Sequence, residues 1–167
     1  KTILESGGRV KGVVCPNASD YSRKIIDEFT DYLKRYFGAK GLAWMKCIDG
    51  KLDGGISKFF PESVQNDMIS KLGIADDNVL FMVGDTASTV FSSLGALRLE
   101  LGKRENLIDA DIWAPLWVVD FPLVEWNEDN NRWDALHHPF TSPHLDDLDK
   151  LDSDTGNVRS LGYDIVM

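Results

Sequence analysis

The segment from Leu116 to Thr141 constrains this chain most. An apolar run, Leu116 to Phe121, stops at Pro122, and a second run, Trp133 to Leu136, ends in His137 and His138. Between them lies Asn127-Glu128-Asp129-Asn130-Asn131, a cluster of turn-forming residues. The pattern predicts a strand, a turn and a returning strand that delivers two imidazoles at its end. A bare surface hairpin needs neither paired histidines nor the three tryptophans found here (Trp117, Trp126, Trp133), so one wall of a pocket is expected.

The residues before this segment spell a different unit, expected to span residues 1–84. Arg9 to Cys15 has the branched content of a strand, and Pro16-Asn17 stops it. Ser19 or Ser22 can cap a helix in which Ile25, Phe29, Leu33 and Phe37 form one apolar stripe, with Gly38 as its stop. Leu42 to Ile48 predicts a second strand, Asp49-Gly50 a tight turn, and Lys51 to Phe59 the returning partner. Pro61 can open a helix whose buried face is Val64, Met68 and Leu72 and which ends at Gly73. Asn78 to Gly84 closes the unit as a strand. This order suggests an α+β arrangement, a small sheet with two helices on one face.

A second unit, residues 85–167, opens on Asp85-Thr86. Ala87, Val90, Phe91, Leu94, Leu97 and Leu101 make a long helical stripe reaching about Arg104. After the histidine segment, Pro143 to Gly156 holds five aspartates and one lysine and is expected to be a mobile surface loop. The last residues, Tyr163 to Met167, form an apolar strand pattern that is cut short, as expected of a piece of a longer protein.

Charge is unevenly distributed. The chain carries a net −9, yet residues 1–48 hold nine Lys/Arg against five Asp/Glu. An acidic body lowers the expectation of tight nucleic-acid binding by this chain alone, since phosphate neutralisation supplies most non-specific affinity. Cys15 and Cys47 lie within expected strands without metal-ligand spacing, which predicts reduced core thiols and suits a cytoplasmic protein. No apolar run approaches the roughly 20 residues needed to cross a bilayer.

Adjacent histidines on a strand point to opposite faces, so only one of His137 and His138 can enter a shared pocket. A neutral imidazole there could accept from an ammonium, and a charged one could donate to a phosphate. Spacing alone favours the plainer reading, a pair of hydrogen-bonded histidines closing a strand. A zinc site is disfavoured, because His144 is the only other histidine and both cysteines belong to the first unit. Asp120, between Val119 and Phe121, can be a buried orienting carboxylate or an exposed strand residue, and alternation does not decide.

The residues themselves go further. Leu116-Trp-Val-Val-Asp-Phe-Pro122, Trp133, His137-His-Pro-Phe-Thr-Ser-Pro143 and Tyr163-Asp-Ile-Val166 resemble bacterial-type aspartyl-tRNA synthetases, as does Leu94 to Arg104. Gly38 to Trp44 and Ile56 to Phe59 resemble the GAD domain inserted in that family and shared with tRNA-dependent amidotransferase subunits. The resemblance implies a GAD domain over residues 1–84 and part of a class II catalytic domain, an antiparallel sheet with a long helix, over 85–167. It implies an aspartate–tRNA ligase that joins aspartate to ATP as aspartyl-adenylate, with Mg²⁺ assistance, and transfers the aspartyl group to tRNA. It further implies a homodimeric parent. His137 would line the aspartate and adenylate pocket and His138 would support it. The ATP arginines and Mg²⁺ carboxylates of the family are expected outside these residues. No catalytic or metal residue is therefore assigned here, and the chain alone is expected to be inactive. The alternative is a non-catalytic GAD-type module that contacts tRNA or protein.

Overall fold

A computed structural model describes residues 2–167. The chain is α+β and divides into two compact units, Lys1–Asp109 and Ala110–Met167. Compactness thus ends the first unit after the long helix, later than the division expected at Gly84.

The first unit is a four-stranded antiparallel sheet of order β1-β4-β2-β3, where β1 is Arg9–Cys15, β2 Ala43–Ile48, β3 Lys51–Asp53 and β4 Val79–Asp85. A short helix, α1 (Thr2–Glu5), precedes β1. Strand β4 runs between β1 and β2, with Phe81 opposite Val13 on one side and Trp44 on the other. Its alternating side chains divide between two apolar clusters. Val79, Phe81 and Val83 face helix α2 (Arg23–Phe37) and helix α4 (Ala87–Arg104), meeting Ile26, Phe29, Leu33, Val90, Leu97 and Leu101. Leu80 and Met82 face the opposite way, against Met45, Cys47, Leu52 and, from helix α3 (Glu62–Leu72), Met68 and Ile69.

The helix that shares the face of α2 is therefore α4, and α3 covers the other face. This differs from the expected packing of α2 and α3 together. The reason lies in α3 itself: Val64 and Leu72, expected to be buried, are exposed, and only one edge of the helix touches the sheet.

Local signals explain the ends of these elements. Ser22 caps α2 by accepting from the Ile25 amide (3.4 Å), whereas Ser19 donates to Asp77 (2.8 Å). Gly38 and Gly73 close α2 and α3 in the left-handed conformation. Asp85 accepts from the Thr86 amide (2.8 Å) at the head of α4, and Thr86 caps that helix through the Thr89 amide (3.4 Å). The hydrogen bond from the Thr86 amide, with help from Lys40, holds the Asp85 carboxyl below the usual range.

The strand expected over Lys51–Phe59 ends at Asp53. Gly54 and Gly55 turn with φ of +74° and +50°, and a single turn of 3₁₀ helix follows at Ser57–Phe59. A Cβ at Gly55 would stand 1.8 Å from the Trp44 carbonyl oxygen, so the backbone passes Trp44 too closely for a ladder to continue. Both cysteines are buried and free, as expected. Burial, reinforced by the nearby Glu105 charge, pushes the Cys15 thiol up to about 11, and burial raises Cys47 too. Neither is a ready nucleophile.

The second unit holds two small antiparallel pairs. Strand β5 (Leu116–Val118) pairs with β8 (Asp164–Val166), and β6 (Val124–Asn127) with β7 (Arg132–Ala135). The expected hairpin is thus corrected in one arm. The partner of the Trp133 strand is Val124–Asn127, with Trp126 and Trp133 stacked edge to face at 5.2 Å, and Leu116–Val118 reaches instead to the end of the chain. Backbone twist enforces the change, because Asp120 adopts φ +59° and breaks the run before Pro122.

The expected mobile loop is also corrected. Residues Leu145–Lys150 and Thr155–Asn157 form 3₁₀ turns, and Asp147 is 1% exposed. Its carboxylate accepts from Arg159 Nε (2.7 Å) and Nη2 (3.2 Å), from the Arg159 amide (3.1 Å) and from Lys150 Nζ (2.6 Å). These donors, Arg159 first, hold its pKa far below the ordinary carboxylate range.

Two tests follow from this packing. Leu97→Ala should cost the 167-residue chain about 2–5 kcal/mol in urea unfolding, because Leu97 is fully buried between sheet and helix. An unchanged midpoint would mean that α4 does not belong to the first core. A depressed carboxyl stabilises the fold fully above its unfolded value of about 3.9 and progressively less as pH falls below it. Acid unfolding followed by tryptophan fluorescence should therefore begin below about pH 4. Asp147→Asn should flatten that part of the curve without abolishing it, since Asp85 and Asp134 shift in the same direction.

Candidate functional site

His137 and His138 do not sit on the return strand. They follow β7 on a bend, so the strict two-face alternation expected of them is lost. His137 is half-buried and His138 exposed. The His137 ring meets Phe121 edge to face at 5.3 Å, and its Nε2 is buried without a hydrogen-bond partner. His138 turns back on its own chain: Nδ1 accepts from the Phe140 amide (3.2 Å), its carbonyl accepts from the Thr141 amide (2.8 Å), and its ring packs on Phe140 at 4.7 Å. One imidazole thus has an unspent polar atom, and the other shapes the bend.

Both histidines line a hollow of about 190 Å³ together with Leu123, Val124, Ala135, Pro139 and Thr141. The lining is mostly apolar, and the His137 Nε2 behind it is shielded from solvent. A buried nitrogen with no partner is costly to retain, and a ligand or water that supplies one removes that cost. As neutral imidazole it can accept from an ammonium or, in the other tautomer, donate to an oxygen.

The bend is held by the segment that follows it in sequence. Val158 and Arg159 pair with Phe121–Leu123 on one side: the Ser160 amide donates to Phe121 (2.7 Å) and the Leu123 amide to Val158 (2.9 Å). On the other side the His144 amide donates to Arg159 (2.8 Å) and the Leu161 amide to Ser142 (2.9 Å). These two flanks are the entry to and exit from the histidine motif. His144 lies on the exit flank, where it caps the 3₁₀ turn through the Asp146 amide (3.2 Å).

Asp120, left open by alternation, is half-exposed and faces Arg159 Nη1 at 3.5 Å. It orients no histidine here. Sequence reasoning passed over Phe121, Asp147 and Arg159. The available signal was Arg159 itself, the one cation between Leu151 and Met167.

Among the described residues no group of three or more His, Cys, Asp or Glu side chains is placed to hold a metal ion. The basic residues of α2 offer no continuous phosphate track. Arg23 pairs with Asp27 (3.2 Å), and Lys34 and Arg35 stand in the last turn, where they complement the helix dipole. Asp27, Glu28 and Asp31 lie exposed between these two basic ends.

Comparison with known proteins extends these observations. The aspartate–tRNA ligase of Halalkalibacterium halodurans is 49% identical over 99% of this chain, and aspartate–tRNA ligase 2 of Streptococcus mutans 46% over 99%. The aspartate–tRNA(Asp/Asn) ligase of Protochlamydia amoebophila is 42% identical over 98%. The chain spans about 28% of the length of the first of these relatives, and a similar share of the others. The family model for the GAD domain matches residues 1–94, more than half of the 167, and the chain accordingly belongs to the GAD domain family.

Proposed function

We propose that this chain is part of an aspartate–tRNA ligase, with a GAD domain over residues 1–84 and a slice of a class II catalytic domain over 85–167. The observation that carries the reading is the extent of the similarity. It runs over 98–99% of the chain in three ligases, and so includes the His137 segment as well as the GAD match. The whole protein would form aspartyl-adenylate from aspartate and ATP and pass the aspartyl group to tRNA. It would act in the cytoplasm as a homodimer.

Within that reaction this chain supplies a wall of the aminoacyl pocket. His137 Nε2, buried and unpartnered beside an apolar hollow, is suited to a polar group of aspartate or of its adenylate. His138 supports the bend that presents it. The residues described here do not fit a Mg²⁺ site. The buried Asp147 is fully engaged by Arg159 and Lys150, and no donor cluster remains. No metal-assisted step is assigned to this chain.

The 167-residue chain alone should show no aspartate-dependent ATP–pyrophosphate exchange above background. Exchange at a ligase-like rate would overturn the division of labour proposed here. In the full-length ligase, His137→Ala should weaken adenylate formation by on the order of ten- to a hundredfold while leaving the melting temperature near that of the parent. Unchanged exchange kinetics would remove His137 from the pocket.

A second reading, a GAD-type module that contacts tRNA, is favoured by the family match and by the excess of cations in residues 1–48. Titrating labelled chain with tRNA distinguishes the two. Amide shifts clustered on Arg23, Lys24, Lys34 and Arg35 support contact, and a silent spectrum leaves the domain a structural insertion.

A further inference from the structure

The ion pair of buried Asp147 with half-buried Arg159 lies outside the hollow beside His137, yet it anchors the segment that joins the two stretches flanking the histidine motif. Asp147 holds Arg159 by three hydrogen bonds, two from the guanidinium and one from the backbone amide. Such a fork fixes both the position and the plane of the arginine. Arg159 in turn lies in the short segment that pairs with Phe121–Leu123 and with Ser142–His144. Phe121 touches the His137 ring, and Ser142 leaves the histidine motif. Arg159 also reaches Asp120 at 3.5 Å, one residue before Phe121.

We infer that Asp147 and Arg159 are positioning residues for His137, setting the imidazole's place in the aminoacyl pocket through the segment Val158–Leu161. The inference rests on the proposed role of His137 and deepens it. Two features argue that the pair is more than a generic contribution to stability. Its carboxylate is almost wholly removed from water in a unit where few apolar side chains are. Its three Arg159 bonds converge on one residue rather than spreading over the surface. Removing Arg159 would leave the buried Asp147 carboxylate with Lys150 alone, and removing the Asp147 charge would leave Arg159 with only the longer contact to Asp120, so the guanidinium loses the fork that fixes it and the segment with it. A displacement of about an ångström at a binding group is enough to cost binding severely.

The test uses the full-length ligase and ATP–pyrophosphate exchange. Asp147→Asn, similar in size but unable to hold the charged fork, should raise KM for aspartate by on the order of tenfold, with KM for ATP and kcat little changed. Arg159→Lys keeps a cation opposite Asp147 but loses the fork, and should act in the same direction more mildly. This variant carries the test if Asp147→Asn fails to fold. Because the pair acts through His137, the variant combining His137→Ala with Asp147→Asn should bind aspartate no more weakly than His137→Ala alone.

Parallel rises in both KM values, a fall in kcat alone, or additive effects in the combined variant would each reduce the pair to general support and overturn the inference. An effect of His137→Ala with none from Asp147→Asn or Arg159→Lys overturns the positioning role and leaves His137 in the pocket. No effect of His137→Ala on aspartate KM removes the pocket assignment, and the inference falls with it.

Discussion

The pairing of β4 with a strand on each side, while both of its faces are covered, is the constraint on which the first unit depends. A strand buried on both faces leaves no room for a polar side chain along its middle, and Val79 to Val83 is accordingly apolar throughout. Its odd positions require α2 and α4, and its even positions require α3 and the β2–β3 hairpin. A fully buried side chain of this size contributes roughly 1.5–3 kcal/mol. The polar groups at the strand's end follow the same logic. Asp85, still buried at the strand's end, accepts from the Thr86 amide at the head of the next helix and from Lys40 instead of lying unpaired in the core.

The second unit is organised by a different force. The two apolar clusters formed by buried residues lie in the first unit, and here Val158 is the one strongly buried apolar side chain among the described residues. Trp113, Trp117, Phe140 and Tyr163 are exposed. Order comes from hydrogen bonds that converge on the Val158–Leu161 segment and from the ion pair behind it. Such bonds are strongly directional, so they define position more sharply than apolar contact does. The role proposed for His137 asks for one imidazole nitrogen at a fixed place, and directional bonds are what supply that.

Much of the first unit was legible because its signals are local. Ser22 and Gly38 bound α2, the four-residue stripe marks its buried face, and the branched residues of β1 and β4 name their own strands. The failures share a physical cause as well. Pairing of Leu116–Val118 with Asp164–Val166 is set by contacts between residues far apart in sequence, to which no local pattern responds. Gly54-Gly55 reads as an ordinary turn until Trp44 is seen lying against it. Asp147 is one aspartate among five, and nothing in its neighbours announces that it alone is buried. At the candidate site the histidines were visible as residues, but their support was not. Phe121 meets the His137 ring, and Arg159 the strands on either side of the motif, only in the folded chain.

The segment Val158–Leu161 lies between two stretches that precede it in the chain. That order of threading matters while the polypeptide is being made. Residues 121–123 and 142–144 emerge from the ribosome without the partner that aligns them, and at ordinary elongation rates they wait on the order of seconds for it. The first unit has all of its strands by Asp85 and needs nothing later than its closing helix. The histidine bend therefore takes its shape later than the sheet of the first unit, whose strands are all made before either flank of the bend has its partner.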